Sequence, residues 1–82
     1  MIFNLRKGGE TMTNTKLLER RIDEKGLKKS YIAKTLGISV RALTMKTKNQ
    51  TEFKSSEIAT ICQLLGIGLQ DKEAIFFAQF VD

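Results

Sequence analysis

Few of the side chains that usually carry out chemistry occur in this chain. Its 82 residues include no histidine and one cysteine, Cys62. Zinc sites and activated nucleophiles depend largely on histidine and clustered cysteine, so we expect no metal site and no Ser-His or Cys-His couple. Cys62 fits better as a small core residue. The sequence therefore predicts no enzyme activity and no cofactor, which leaves binding as the function to look for.

One stretch concentrates residues suited to an acidic partner. "AKTLGISVRALTMKTKN", residues 33–49, contains basic and hydroxyl side chains and no carboxylate. From Gly26 to Lys54 there are seven basic residues and one acid, whereas from Ser55 onwards there are one base and four acids. The net charge of +5 is thus concentrated in the middle of the chain, as is typical of proteins that bind a polyanion. A solvated lysine-rich surface gives the same pattern, and charge alone does not separate the two.

Helical periodicity begins at Asn14 and continues to the end of the chain. Asn14 or Thr15 can cap a first helix, and Ser39 can cap a third helix over about residues 40–48. A fifth helix is expected to begin near Asp71. Glycines end the first, second and fourth helices: Gly26, Gly37 and Gly66. The apolar positions repeat at helical spacing and are expected to form the core: Leu17, Leu18, Ile22, Ile32, Ala33, Leu36, Ile58, Ile61, Cys62 and Leu65.

This pattern predicts an all-α fold with one domain over residues 14–82. Residues 1–13 show no such periodicity, and we expect them to form a disordered N-terminal extension. There is no apolar run long enough to cross a bilayer and no signal peptide. We therefore expect a soluble cytoplasmic protein without a membrane partner.

Residues 29–48 are predicted to form two helices joined by a tight turn. Ala33 allows the helices to approach closely, and Gly37 allows the chain to turn. Ile38 and Leu43 can then anchor the second helix on the first. This spacing is typical of a helix-turn-helix, whose second helix enters the major groove of DNA.

"GLKKSYIAKTLGIS" resembles the second helix and turn of the lambda repressor/Cro-like helix-turn-helix proteins, and small phage and prophage regulators are similar in appearance. "KNQTEFKSSEIATICQLLGI" and the "IFFA" tail resemble the segments that follow in them. The likeness extends over about residues 15–81. It implies a compact five-helix lambda-repressor-like domain that binds double-stranded operator DNA, usually as a dimer, and regulates transcription. Thr47 departs from the pattern, because an apolar residue often closes the third helix there. We therefore expect a loosely held helix end.

The outer face of the third helix supplies the predicted base contacts. If Leu43 faces the core, five residues remain outside: Val40, Arg41, Thr44, Met45 and Lys48. The first four are the predicted base contacts. Arg41 is the principal reader, because its guanidinium can donate two hydrogen bonds to guanine O6 and N7. Val40 and Met45 offer apolar contacts to thymine methyl groups. Two flanks are expected to contact phosphates: Lys28, Lys29 and Ser30 at the start of the second helix, and Lys48, Asn49, Gln50 and Thr51 after the third.

The tail "AIFFAQFVD" is unusually apolar for a chain terminus. Ile75 and one phenylalanine are expected to complete the core, and the rest to form a twofold homodimer contact by helix packing or an added strand. The candidates for this contact are Phe76, Phe77, Phe80 and Val81. All of them folding onto one core is the simpler alternative. The tail also leaves a second function open, in which the protein is an interaction modulator or antirepressor that binds another phage regulator.

Overall fold

The computed structural model describes residues 11–79. Five α-helices account for most of this range, as the sequence predicts, and a short antiparallel ribbon joins its two ends, with Thr11 opposite Gln79 and Met12 opposite Ala78. The described helices include none that is long and apolar enough to cross a membrane. The elements are β1 (Thr11–Met12), α1 (Thr15–Lys25), α2 (Lys29–Leu36), α3 (Val40–Thr47), α4 (Ser55–Leu65), α5 (Leu69–Phe76) and β2 (Ala78–Gln79).

Side-chain caps fix the starts of α1 and α3. The Asn14 side-chain oxygen accepts a hydrogen bond from the Leu17 N–H at 3.2 Å. The Ser39 hydroxyl accepts one from the Ala42 N–H at 3.0 Å. Each bond satisfies a backbone donor of the first turn, which has no partner within the helix. Both predicted caps are therefore confirmed.

The turn between α2 and α3 has only three residues, 37–39. Gly37 lies in the left-handed region at φ 75°, where a side chain is disfavoured. Its N–H donates to the Lys34 carbonyl at 3.1 Å, and the Ile38 N–H donates to the Ala33 carbonyl at 3.0 Å. The last carbonyls of α2 are thus satisfied inside the turn, which fixes where α3 starts.

Two helix boundaries differ slightly from the sequence prediction. α3 ends one residue early, at Thr47, and α5 begins at Leu69, two residues before Asp71. α5 starts earlier because the Gly68 carbonyl already accepts the first helical hydrogen bond, at 2.8 Å. Asp71 remains in the first turn of α5, where its charge is favourable to the helix dipole.

The core lies between the helices, with α2 packed against both α3 and α4. Ala33 is only 1% exposed, so the predicted close approach of α2 to its neighbours is confirmed. Leu17, Leu36 and Cys62 are partly buried at the edge of the core. The fully packed apolar residues are Leu18, Ile22, Ile32, Ala33, Leu43, Ile58, Ile61, Leu65, Ile75 and Phe76.

Residues 11–15, here called the N-terminal strap, belong to the folded domain. The Asn14 N–H donates to the Ile75 carbonyl at the end of α5, and the Thr15 hydroxyl donates to the Thr47 carbonyl at the end of α3, each at 2.6 Å. The boundary of the domain therefore lies closer to Thr11 than to the predicted Asn14. The rest of the expected extension, residues 1–10, lies outside the described residues.

Replacing Gly37 should measure how much the left-handed turn contributes. Apart from its chain neighbours, no described residue has an atom within 4 Å of a Cβ built at this position, so Gly37→Ala should add backbone strain without a steric clash. We expect a loss of about 1 kcal/mol in the free energy of unfolding, measured by urea denaturation. Gly37→Asn should lose less, because asparagine tolerates this conformation. Equal losses for both variants would contradict the explanation.

Candidate nucleic-acid interface

Two buried residues set the orientation of α3 about its own axis. Leu43 is 1% exposed and Thr47 is 2% exposed, so this side of the helix faces the core. Because successive helical residues are rotated by about 100°, Arg41, Met45 and Lys48 lie on the opposite side. Arg41 and Lys48 are exposed, and Met45 is half-buried. The predicted orientation of α3 is therefore the observed one.

The remaining predicted base contacts lie beside Arg41. Val40, in the first turn, is 45% exposed, and Thr44 is half-buried on the flank of the helix. No acidic residue occurs between Ser39 and Thr51. Arg41 makes no ion pair or side-chain hydrogen bond with another residue of the described range. Its guanidinium is thus available to a ligand, next to apolar groups of modest size.

The first phosphate flank lies at the start of α2. Lys28, Lys29 and Ser30 are all exposed, and the first turn of α2 receives no side-chain cap from Lys28. Lys29 Nζ lies 3.5 Å from Glu19 Oε2, with both side chains about half exposed at 44% and 40%. Ion pairs of this kind are weak in water, so Lys29 can exchange Glu19 for a stronger anion.

The second flank is the loop after α3, residues 48–54, here called the flank loop. Lys48, Gln50 and Thr51 are exposed in it. Asn49 was also predicted to contact phosphate, but its side-chain oxygen accepts the Thr13 N–H and its amide donates to the Thr13 carbonyl, both at 2.8 Å. Both polar atoms of this side chain are thus used within the fold, and its contact with phosphate stays a prediction.

The C-terminal end of α3 is firmly held, contrary to the expectation based on Thr47. The Thr47 hydroxyl donates to the Leu43 carbonyl at 2.9 Å. This hydroxyl is the one polar group that threonine adds in place of an apolar side chain, and it therefore has a partner. The Thr47 carbonyl in turn accepts the Thr15 hydroxyl at 2.6 Å. A threonine therefore serves here because both its methyl and its hydroxyl have partners.

A nearly buried ion pair, which the sequence did not reveal, joins α3 to α4. Lys46 Nζ lies 3.1 Å from Glu57 Oε1, with side chains 12% and 8% exposed. The ammonium also donates to the Glu52 carbonyl at 3.0 Å, and Glu57 accepts the Lys54 N–H at 2.8 Å. Burial by itself raises the pKa of Glu57, but the Lys54 N–H and then the Lys46 ammonium outweigh it, so the net pKa is lowered.

The apolar tail divides between core and surface. Phe76 is 4% exposed and packs edge-to-face on Phe53, with ring centroids 5.4 Å apart. The assignment of Phe76 to a dimer interface is therefore corrected: it is the phenylalanine that completes the core with Ile75. Phe77 is 41% exposed, and the predicted interface residues Phe80 and Val81 lie outside the described residues.

The Lys46–Glu57 pair should make the free energy of unfolding depend on pH in the acidic range. Because the folded pKa of Glu57 is depressed, its stabilisation is complete above the unfolded value of ~4.3. It is lost as the pH falls through the folded value. Lys46→Met should lower the free energy of unfolding at pH 7 by about 3 kcal/mol, because it leaves a buried carboxylate unpaired.

Glu57→Gln is the matched variant, since glutamine keeps an acceptor for the Lys54 N–H. Its stability should vary less between pH 3 and pH 6 than that of the wild type, in urea denaturation at several pH values. An unchanged acid dependence in Glu57→Gln would show that this pair does not contribute to it.

The described residues contain no group of three His, Cys, Asp or Glu placed to hold a metal ion. Burial raises the pKa of the half-buried Cys62 thiol, with Lys72 opposing the shift in part, so the thiol stays protonated at neutral pH. In comparisons with known proteins, no family model matched the chain, and no curated protein or solved structure gave a significant match.

Proposed function

We propose that this protein is a sequence-specific DNA-binding transcriptional regulator with a lambda-repressor-like arrangement of its helices. In this proposal α2 and α3 form the helix-turn-helix, and α3 lies in the major groove. The observation that carries the proposal is the outer face of α3, where Arg41 is exposed, has no ion pair with any described residue and stands on a helix free of carboxylates. A major groove has the width of such a helix.

Base recognition is assigned to the first two turns of α3. Arg41, at the second helical position, can donate two guanidinium N–H groups to guanine O6 and N7. Val40 and Met45 contact thymine methyl groups in the same groove, and Thr44 donates to a base edge or a phosphate. Because Arg41 is the one charged residue assigned to base contacts and its neighbours there are apolar, we expect a short recognition sequence in each half-site.

Phosphate contacts on either side hold the helix in the groove. Lys28, Lys29 and Ser30 lie at the start of α2, whereas Lys48, Gln50 and Thr51 lie after α3. Because such contacts displace counterions, affinity should fall as salt rises, with a log–log slope of about −0.9 for each phosphate neutralised. The acidic residues of the chain lie mainly in α1, α4 and α5, and α3 itself contains none.

A homodimer would double the number of base contacts. The exposed Phe77 at the end of α5 supports a twofold contact between two copies through the C-terminal tail, which also contains Phe80 and Val81. A dimer of this kind predicts a palindromic operator, because its two recognition helices are related by the same twofold axis.

The exposed Leu69 and Phe77 also support a second candidate, an interaction module that binds another regulator such as a phage repressor. Leu69, 72% exposed, and Phe77, 41% exposed, give α5 apolar groups at both ends. The two functions differ in what they require: a regulator of DNA needs Arg41, whereas an interaction module needs the tail and not the outer face of α3.

Substitutions on α3 and the flank loop should separate reading from positioning. Arg41→Ala should weaken binding to the preferred site by about 1–3 kcal/mol and relax the preference at one base pair. Lys48→Ala should weaken binding to all sequences and reduce the salt slope by about one. Both residues are exposed, so melting temperatures should change little.

The measurement is selection of duplexes from a random pool, followed by salt titrations of the recovered site. If Arg41→Ala selects the same sequence with the same affinity as the wild type, α3 does not read bases. The interaction module would then be the better account of this protein.

Tail substitutions test the dimer. Phe77→Asp should produce a folded monomer, because a buried unpaired carboxylate at the contact costs several kcal/mol. Leu69→Asp, at the other end of α5, is the control and should leave the dimer intact. Sedimentation equilibrium distinguishes the two, and a wild type that is monomeric at high concentration would refute the homodimer.

A further inference from the structure

The N-terminal strap makes hydrogen bonds on alternate sides along its length. Thr11 and Met12 pair with β2, and the Asn14 N–H donates to the end of α5. Thr13 and Thr15 instead bind Asn49 and the Thr47 carbonyl at the end of α3. The strap therefore lies between the C-terminal end of α5 and the flank loop, and it joins them by hydrogen bonds on both sides.

Asn49 stands where a helix ending commonly has glycine. It is the one non-glycine residue of the described range with a positive φ, 65°. Its N–H donates to the Lys46 carbonyl, and the Gln50 N–H donates to the Met45 carbonyl at 2.8 Å, the pattern that ends helices at a left-handed residue. Glycine would serve this backbone equally well, so the turn alone does not explain an asparagine.

The side chain of Asn49 explains it. Its oxygen and nitrogen bind the N–H and the carbonyl of Thr13, 36 residues away, at 2.8 Å each. The amide thus pairs with Thr13 as a neighbouring strand would. Both bonds are partly buried, where loss of a partner costs more than it does in water.

The N-terminal half of the flank loop has few other attachments. Its C-terminal half is fixed by the Lys46 bond to the Glu52 carbonyl and by the stacking of Phe53 on Phe76. Lys48, Gln50 and Thr51 are exposed. Apart from the backbone bonds that close α3, the Asn49–Thr13 pair is the contact that holds this half of the loop to the domain among the described residues.

We infer that Asn49 and Thr13 act as a positioning pair for DNA binding. The pair holds the backbone of the flank loop so that Lys48, Gln50 and Thr51 point to the phosphates, and Asn49 makes no DNA contact with its own side chain. This inference rests on the proposed function. It also gives the N-terminal strap a role in DNA binding although the strap contributes no residue to the recognition helix.

The test compares Asn49→Gly, Thr13→Pro and the double variant in salt titrations of DNA affinity. Glycine keeps the left-handed backbone and removes both bonds. Proline removes the Thr13 N–H, and the preceding residue, Met12, already has the extended conformation that is favoured before proline. Each single variant should weaken binding about two- to tenfold. The double variant should bind DNA no more weakly than the single variant with the lower affinity, because both changes disrupt the same pair.

The salt slope distinguishes positioning from direct contact. Loss of the pair should reduce the slope by up to about one, because Lys48 no longer reaches its phosphate, although neither changed residue is charged. Gln63→Ala is the control: it removes an exposed neutral side chain of α4 that lies outside the proposed contacts, and it should leave both affinity and slope unchanged. If Asn49→Gly weakens binding with an unchanged slope and Thr13→Pro has no effect, Asn49 contacts DNA directly and the inference is wrong.

Amide exchange of the DNA-free protein keeps this inference separate from the proposed function. A wild type that binds no duplex would refute the proposed function and, with it, the role of the pair in DNA binding. The positioning geometry is tested by the Gln50 and Thr51 amides, which should exchange several-fold faster in both single variants while the melting temperature stays near that of the wild type. Unchanged exchange at these amides would overturn the inference whatever the DNA result.

Discussion

The burial of Leu43 and Thr47 against the core determines which face of α3 the rest of the chain can use. These residues are one helical turn apart and almost without exposed surface, so α3 cannot rotate without losing packing and leaving the Thr47 hydroxyl unpaired. With that side fixed, the periodicity of the helix places Arg41 and Lys48 outside. The short turn at Gly37 and the small Ala33 then set how closely α3 lies against α2. The proposed interface is a consequence of how the core packs.

Basic residues in the middle of the chain serve two purposes that composition does not distinguish. Lys46 lies inside the fold, where it pairs with Glu57 of α4 and donates to the Glu52 carbonyl of the flank loop. Arg41 and Lys48 point outward, and no described acid pairs with them. The internal pair removes one cation from the surface but holds the loop that carries another. The proposed DNA binding depends on this rigidity, because a phosphate contact gives orientation only if the donor is held in place.

The sequence predicted local features well, because each depends on residues close together in the chain. The caps at Asn14 and Ser39, the glycine ends at Gly26 and Gly37, and the buried stripe of α4 are of this kind. Apolar periodicity also identified the outward face of α3.

What the sequence did not predict joins distant residues. The Asn49–Thr13 pair spans 36 positions, and no local pattern marks either residue as a partner of the other. The N-terminal strap lacks helical periodicity, so it was assigned to an extension although backbone bonds tie it to α5 and β2. Phe76 and Phe77 are adjacent phenylalanines, so the sequence does not distinguish them. In the fold, Phe76 is the buried one and packs on Phe53, whereas Phe77 is exposed. A lysine and a glutamate eleven residues apart become an ion pair only once α3 and α4 meet.

We propose that the outer face of α3 and its two flanks bind duplex DNA. Backbone amide chemical shifts of the ¹⁵N-labelled protein, followed while a selected duplex is added, test it residue by residue. We expect the largest chemical-shift changes in residues 40–48, smaller ones in residues 28–30 and 50–51, and little change in α4. Changes confined to α5 and the tail, or none at low salt, would contradict it.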